Sequence, residues 1–352
     1  MVHVVPGLEE LAWEELTKLD RALERIATWA HIDRRAGVLL FRSFQPPGAF
    51  LRLRFAEDVF SVVGSIRDLP AGRRGPKALA DLARTGGALQ EALRHHRDVQ
   101  VRRRHARPTY RVLVRKSGQH AFRRIDAQRA CEAGLAKRLP RWRLVEDDAE
   151  LEFWLQIVGE EAVLALRLSS SQMRHRSYLS VSLPGALKPA VAAALVQLAE
   201  AFPGSLLLDP MCGGGTVLAE AAERRLLVLG GDLDSKALRA ARRNLIAAGA
   251  PGRLARWDVA RLPLADESVD AIAANLPWGK QQQPGDLERL YKRFLGEARR
   301  VLRPGRRVAL LTSQRPLVER LAGRGRHFSI ERRLAVVVRG ADAWLLALRK
   351  RD

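Results

Sequence analysis

Leu206-Leu207-Leu208-Asp209-Pro210-Met211-Cys212-Gly213-Gly214-Gly215-Thr216 is an unbroken apolar run closed by an acid, followed by three glycines. A helical pattern then runs over Thr216–Arg225. Such an apolar run, too short for a helix, reads as a strand buried on both faces. The glycines let the backbone approach a ligand with no Cβ in the way, and the following helix N-terminus offers unpaired N–H groups. Phosphate or carboxylate suits that place. No P-loop lysine follows and the spacing is not that of a dinucleotide fingerprint, which argues against both of those uses.

Downstream, the alternation continues. Leu226–Gly231 reads as a second strand ending at Asp232, Ser235–Ala248 as a helix, and a third strand precedes Asp258. Further strands are expected at Ala271–Ala274, Arg307–Thr312, Ile330–Val338 and Ala343–Leu348. Helices alternating with continuous apolar strands predict a parallel sheet covered on both faces, with ligands at the carboxyl ends of its strands. Asp232, 17 residues after Gly215, is placed to accept bonds from ribose hydroxyls or, more plainly, to cap the next helix. Asp258 is placed to meet an adenine amine, or is an ordinary loop acid.

Asn275-Leu276-Pro277-Trp278-Gly279 closes the strand Ala271–Ala274, 60 residues after Gly215. An exocyclic amine conjugated to a base ring is a poor nucleophile because its lone pair is delocalised. A side-chain oxygen on Asn275 and a backbone carbonyl of the turn can accept both N–H bonds and turn the lone pair toward a methyl donor. Pro277 stiffens the turn, and Trp278 offers a face for a flipped base.

The rest of the chain points to the substrate. In 352 residues there are 61 Lys+Arg against 39 Asp+Glu, a formal net charge of +22, which favours a polyanionic partner. From Arg94 to Arg143 the balance is 16 basic to 3 acidic residues, and from Val301 to Asp352 it is 13 to 4. The blander reading is a solvated, arginine-rich surface. Aromatic residues, at 6%, argue against a platform built mainly on base stacking. A helix is expected at Leu8–Leu19 with Glu9, Glu10, Glu14 and Glu15 outward. Strands follow near Ile26–His31, Val38–Phe41 and Val59–Val63. Beyond Ala71–Pro76 come a helix over Ala78–Leu93, a basic loop at Arg102–Arg107 and a strand at Tyr110–Val114. A helix at Ile125–Leu139 and a hairpin of Leu151–Val158 with Ala162–Leu168 complete this part. The two cysteines, Cys131 and Cys212, have no ligand spacing, so no metal is expected and a reducing cytoplasm is the expected home. No membrane span, secretory leader or obligatory protein partner is evident.

These motifs resemble a known family. DPMCGGGT resembles the DP-x-C-G-S-G-T signature of amino-methyltransferases, and NLPWG resembles the NLP-aromatic-G form found in THUMP-containing guanine-N2 methyltransferases of tRNA. PGLEELAWEEL and HRSYLSVSLPGALKPAVAAALVQLA resemble that family's opening and its entry to the catalytic domain. The resemblance implies a ferredoxin-like domain at 1–65, a THUMP RNA-binding domain at 66–170, a linker at 171–186 and a Rossmann-like class I methyltransferase domain at 187–352. Asp209, Pro210, Cys212, Gly213, Gly215, Thr216, Asp232, Asp258 and Asn275 would line the S-adenosylmethionine site. Asn275, Leu276, Pro277 and Trp278 would hold the guanine. Arg102, Arg103, Arg104, Arg107, Arg115, Lys116, Arg123 and Arg124 would meet RNA. Gly214 replaces the usual serine, and Asn275 stands where some relatives carry Asp, which disfavours direct proton abstraction. The expected activity is methylation of the N2 amine of a tRNA guanosine, in the acceptor stem. Ribosomal RNA, DNA adenine N6, a protein glutamine amide, and a catalytically silent RNA-binding protein are the alternatives.

Overall fold

The computed structural model describes residues 1–32, 34–100, 107–250, 252–279, 284–323 and 327–351. It divides into two compact units, Met1–Met173 and Arg174–Asp352.

The first unit begins with β1 (Val2–Val4), α1 (Glu9–Leu19), β2 (Glu24–Ile32), β3 (Ala36–Arg42), the single turn α2 (Pro47–Phe50) and β4 (Ala56–Ile66). It continues through α3 (Gly75–Thr85), α4 (Leu89–Val99), β5 (Thr109–Ser117), α5 (Arg124–Arg138), β6 (Arg143–Leu144), β7 (Leu151–Val158) and β8 (Glu161–Arg167). All eight strands share one sheet, in the order β2-β3-β1-β4-β8-β7-β5-β6. The expected hairpin is β7–β8, closed by Val158 opposite Glu161. Two expectations need correction. The single helix over Ala78–Leu93 is two helices, because Gly86 turns the chain where a Cβ would lie 2.9 Å from both the Leu82 and Val63 carbonyl oxygens. Glu9 and Glu15 do not simply face outward. They turn back to accept the backbone N–H groups of Gly7 (2.8 Å) and of Arg54 and Phe55, donors that a turn would otherwise leave unpaired.

After a turn, α6 (Gln172–His175), the second unit runs α7 (Pro189–Leu198), β9 (Leu206–Asp209), α8 (Thr216–Ala222), β10 (Leu227–Asp232), α9 (Ser235–Ala247) and β11 (Arg253–Arg256). Next come β12 (Val269–Asn275), α10 (Pro284–Val301), β13 (Leu302–Thr312), α11 (Arg315–Gly323), β14 (Phe328–Val338) and β15 (Ala341–Lys350). The sheet order is β11-β10-β9-β12-β13-β15-β14. All pairings are parallel except those of β15, which is antiparallel to β13 and β14. That reversal has a local cause: Arg339 (φ +51°) and Gly340 (φ +81°) make a two-residue turn with the left-handed backbone a tight hairpin requires. Helices α7, α8 and α9 pack over one face of the sheet and α10 and α11 over the other, where Tyr291, Phe294 and Leu295 join Leu208, Ile272 and Leu310 in the core.

Strand order decides where a ligand can sit. From β9 the chain winds outward through β10 and β11, then returns to place β12 on the other side of β9. A crevice opens at the carboxyl ends where the winding reverses. Asp209, Asp232 and Asn275 end the three strands that border it. Among the described residues, no helix is long and apolar enough to cross a membrane.

Candidate active site

The glycine loop is held by its own backbone and by two neighbours. Cys212 N–H donates to the Gly231 carbonyl (2.9 Å) and Gly215 N–H to that of Cys212 (2.8 Å). Gly215 needs to be glycine: φ is +78°, and a Cβ would sit 3.1 Å from Ala241 of α9. Gly213, at φ +52°, has open space where a Cβ would be. Gly214 has no such need, since a Cβ there would make only ordinary contacts at 3.7 Å, so the loop also suits the family's serine. Asp232 accepts the Gly213 N–H on Oδ2 (2.9 Å) and the Asp234 N–H on Oδ1 (2.9 Å), while Asp234 rather than Asp232 caps α9.

Asp209 is fully buried and accepts the Met211 N–H at 3.2 Å. Burial pushes its carboxyl up to about 8; the Met211 N–H pulls against that rise and the charge of Asp232 adds to it. The folded chain therefore keeps a proton that the unfolded chain loses above about pH 4, and this group costs stability progressively as pH rises toward 8. Asp209→Asn, which keeps the acceptor and removes the titration, is expected to flatten the decline in Tm between about pH 5 and 8. Scanning calorimetry of both proteins across that range checks it; identical declines would put the titrating group elsewhere. Burial likewise raises the Cys212 thiol, so it is no thiolate nucleophile.

A cleft of about 110 Å³ lies against this loop, lined by Asp209, Met211 to Gly214, Thr216, Val217 and Asn275, with Leu183 to Leu187 along its other side. The segment read as a linker thus forms one wall. It is tied down by Asn244, which is completely buried on α9. Asn244 Oδ1 accepts from Val181 N–H (2.9 Å) and the Ser180 hydroxyl, and its amide donates to the carbonyls of Val181 and Gly214 (2.8 Å). Tyr178 adds a hydrogen bond to the buried Glu220 at 2.5 Å.

Asn275, which opens the turn Asn275–Trp278, borders the same cleft. Leu276 is buried and its N–H donates to Leu311 O (2.9 Å), fixing the peptide that follows Asn275. The Pro277 carbonyl accepts from the buried Tyr291 hydroxyl (2.6 Å), which also pairs with Thr312 (2.9 Å). Trp278 Nε1 donates to Asn275 Oδ1 at 3.3 Å, a long bond that leaves acceptor capacity on the amide oxygen. Asn244, Tyr291, Trp257 and Gly231 were not anticipated. Gly231 has a readable reason in retrospect: a Cβ there would fall 1.9 Å from the Trp257 ring, whose Nε1 holds the Pro210 carbonyl at 3.0 Å. Asp258 is exposed and accepts the Ala260 N–H on Oδ1 (2.9 Å).

Among the described residues, the basic side chains read as RNA contacts sit in different surroundings. Arg102, Arg103 and Arg104 lie outside the described residues. Arg107 and Arg124 are exposed, and Arg123 is exposed at the start of α5, where Asp126 accepts its backbone N–H (2.8 Å) and its guanidinium. Arg115 and Lys116, adjacent on β5, leave on opposite faces. The Arg115 guanidinium lies 5.3 Å from the Trp154 ring, and Lys116 lies 3.3 Å from His120 Nδ1. Among the described residues, no group of three His, Cys, Asp or Glu could hold a metal ion.

A doubly wound sheet with one reversed strand, a glycine loop facing an acid on the next strand, and an Asn-Leu-Pro-Trp turn at the switch point make up the class I methyltransferase fold, the class that uses S-adenosylmethionine. Residues 176–342 match the family UPF0020, described as an RMKL-like methyltransferase domain. The chain is 36% identical over 220 residues to the tRNA (guanine(6)-N2)-methyltransferase of Thermus thermophilus, covering 60% of this chain and 64% of that one. It is 34% identical over 213 residues to the bovine U6 snRNA (guanine-N(2))-methyltransferase THUMPD2, covering 58% and 41%. It thus spans less than two thirds of the length of these curated relatives. The crystal structure of TrmN from Thermus thermophilus superposes with a TM-score of 0.81 at 28% identity over 99% of both chains.

Proposed function

We propose that this chain methylates the exocyclic N2 amine of a guanosine in tRNA, in the acceptor stem, and does so in the cytoplasm. One observation carries the reading: a proline-stiffened turn puts Asn275 in one cleft with the glycine loop, its amide oxygen held by the Trp278 indole. The residues suit S-adenosylmethionine. Gly213 leaves open a place that any Cβ would fill, and Asp232, already oriented by two N–H donors, keeps lone pairs for ribose hydroxyls. When bound, that donor supplies an electrophilic methyl on a sulfonium.

The chain's own work is orientation. Asn275 Oδ1 and the Leu276 carbonyl accept the two N–H bonds of the amine, so its lone pair points along the line of transfer. Trp278 stacks on the base, and the Tyr291–Pro277 bond keeps that side of the turn still. An amide cannot take the proton, which leaves the methylated amine for water. In this reading the segment 66–170 is the RNA-binding THUMP domain, with Arg107, Arg123 and Arg124 among its phosphate contacts. The names of the two relatives share guanine N2 and differ in the RNA, so chemistry and RNA need separate readouts.

Labelled methyl transfer to unmodified total tRNA, followed by nucleoside analysis, is expected to yield N2-methylguanosine. No product on tRNA but N2-methylguanosine on another small structured RNA would keep the chemistry and replace the substrate. Intact donor binding with no product on any RNA would overturn the reading.

A further inference from the structure

The positive charge on the second unit is of two kinds. The excess in Val301–Asp352 is largely tied into the fold: Arg303 pairs with Asp270, Arg307 with Glu331, Arg333 with Glu319 and Lys350 with Glu267. Between Ser235 and Arg256 the situation differs. This stretch holds six Lys/Arg and no Asp or Glu. Lys236, Arg239, Arg242 and Arg243 are all exposed on α9, and Arg253 and Arg256 are exposed at the two ends of the edge strand β11. Among the described residues, none of the six pairs with a carboxylate; Arg256 donates to the Leu233 carbonyl at 3.0 Å.

Helical periodicity aligns Lys236, Arg239 and Arg243, with Arg242 beside them, in one stripe that ends at Ile246, 68% exposed. The opposite face of α9 is the one that braces the glycine loop. Ala241 packs on Gly215, and Asn244 holds the Gly214 carbonyl. The stripe therefore rides on the helix that fixes the glycine loop, starting beside Asp232. Where the cations of β13 and β15 are paired with carboxylates, these stand together and exposed on the helix that braces the glycine loop. Like charges at this spacing repel one another and weaken an isolated helix, so local stability does not account for them.

We propose that this face of α9 is a second RNA-phosphate contact, carried by the catalytic unit itself, which holds the backbone near the target nucleotide. The inference rests on the reading of the site as an RNA methyltransferase. A polyanion of fixed phosphate spacing matches a rigid cationic stripe, and each neutralised phosphate releases condensed counterions, so the contact is visible in salt dependence.

The test compares the unaltered chain with two variants that each lose three charges: Lys236→Gln/Arg239→Gln/Arg243→Gln on α9, and Arg289→Gln/Lys292→Gln/Arg293→Gln on α10, over the other face of the sheet. Affinity for an unmodified tRNA transcript is read by fluorescence anisotropy from about 50 to about 200 mM salt, with S-adenosylmethionine affinity measured by calorimetry. The α9 variant is expected to bind the transcript about tenfold more weakly, with a log–log salt slope shallower by about two to three and unchanged donor affinity. The α10 variant should move less than half as far. Equal shifts in both variants would reduce the effect to net charge and overturn the proposal. So would an α9 variant that binds like the unaltered chain, while leaving the enzymatic reading intact. An unaltered chain that binds the donor but no RNA would defeat both.

Discussion

Asn275→Ala is expected to lower kcat about 10²–10³-fold, the usual consequence of removing one pre-oriented hydrogen-bonding group from a reacting centre. Affinity for S-adenosylmethionine should change less than about threefold, well under one hydrogen bond's worth of free energy. The size of the effect follows from geometry. A delocalised amine becomes nucleophilic only when its N–H bonds are drawn into place, and the Asn275 amide is the side-chain acceptor that the turn offers. Its oxygen is steadied by the Trp278 indole at 3.3 Å, and Leu311 and Tyr291 pin the turn on either side of it. Alanine removes the acceptor and unties the indole together. The fold should survive, because Asn275 is only half-buried at a strand end. Single-turnover methyl transfer with saturating donor and RNA separates the outcomes: a rate within threefold of the parent would take Asn275 out of the mechanism.

How much of this was readable beforehand depended on whether the determining contact was local. The glycine loop, the acid-ended strands and the Asn-Leu-Pro-Trp turn are written in adjacent residues, and all of them lie where the alternation of strands and helices placed them. The residues that hold them are distant in sequence. Asn244 has the look of a polar interruption in an arginine-rich helix, and nothing near it says that its partners are Val181 and Gly214. Tyr291 sits on a helix that no local signal singled out, 14 residues from the carbonyl it grips. The stretch 171–186 was read as a linker because it is polar and serine-rich. In the structure those polar groups are satisfied by α8 and α9, through Tyr178, Ser180 and Val181, which turns the stretch into a wall of the cleft. Charge was the least legible property. The same arginine-rich composition yields ion pairs on β13 and β15 and a bare stripe on α9, and only the tertiary partners tell them apart.

The second large effect is expected from a substitution that changes almost no volume, Asp232→Asn. Both carboxylate oxygens of Asp232 already accept a backbone N–H, Gly213 on Oδ2 and Asp234 on Oδ1, each at 2.9 Å. An amide has one oxygen and one NH₂, so in either orientation it sets a donor against a donor. Each rotamer therefore loses a bond that shapes the loop, at a cost of about 1–3 kcal/mol for the stranded N–H. It also loses the charge that would strengthen bonds to the ribose, about 1.5–3 kcal/mol for a hydrogen bond to an ionised group. Donor affinity should fall about 100-fold. Asp232→Glu should not restore it, because the longer side chain cannot reach both N–H groups from the same strand end. Calorimetric titration gives the answer directly. A Kd within threefold of the parent would mean that Asp232 only braces the loop, and the ribose contact would have to be sought on another residue. Set beside Asn275→Ala, the expected pattern is a double dissociation. One substitution leaves the donor bound and stops transfer; the other lets go of the donor while the turn that orients the amine, with its Leu311, Tyr291 and Trp278 bonds, stays as it was.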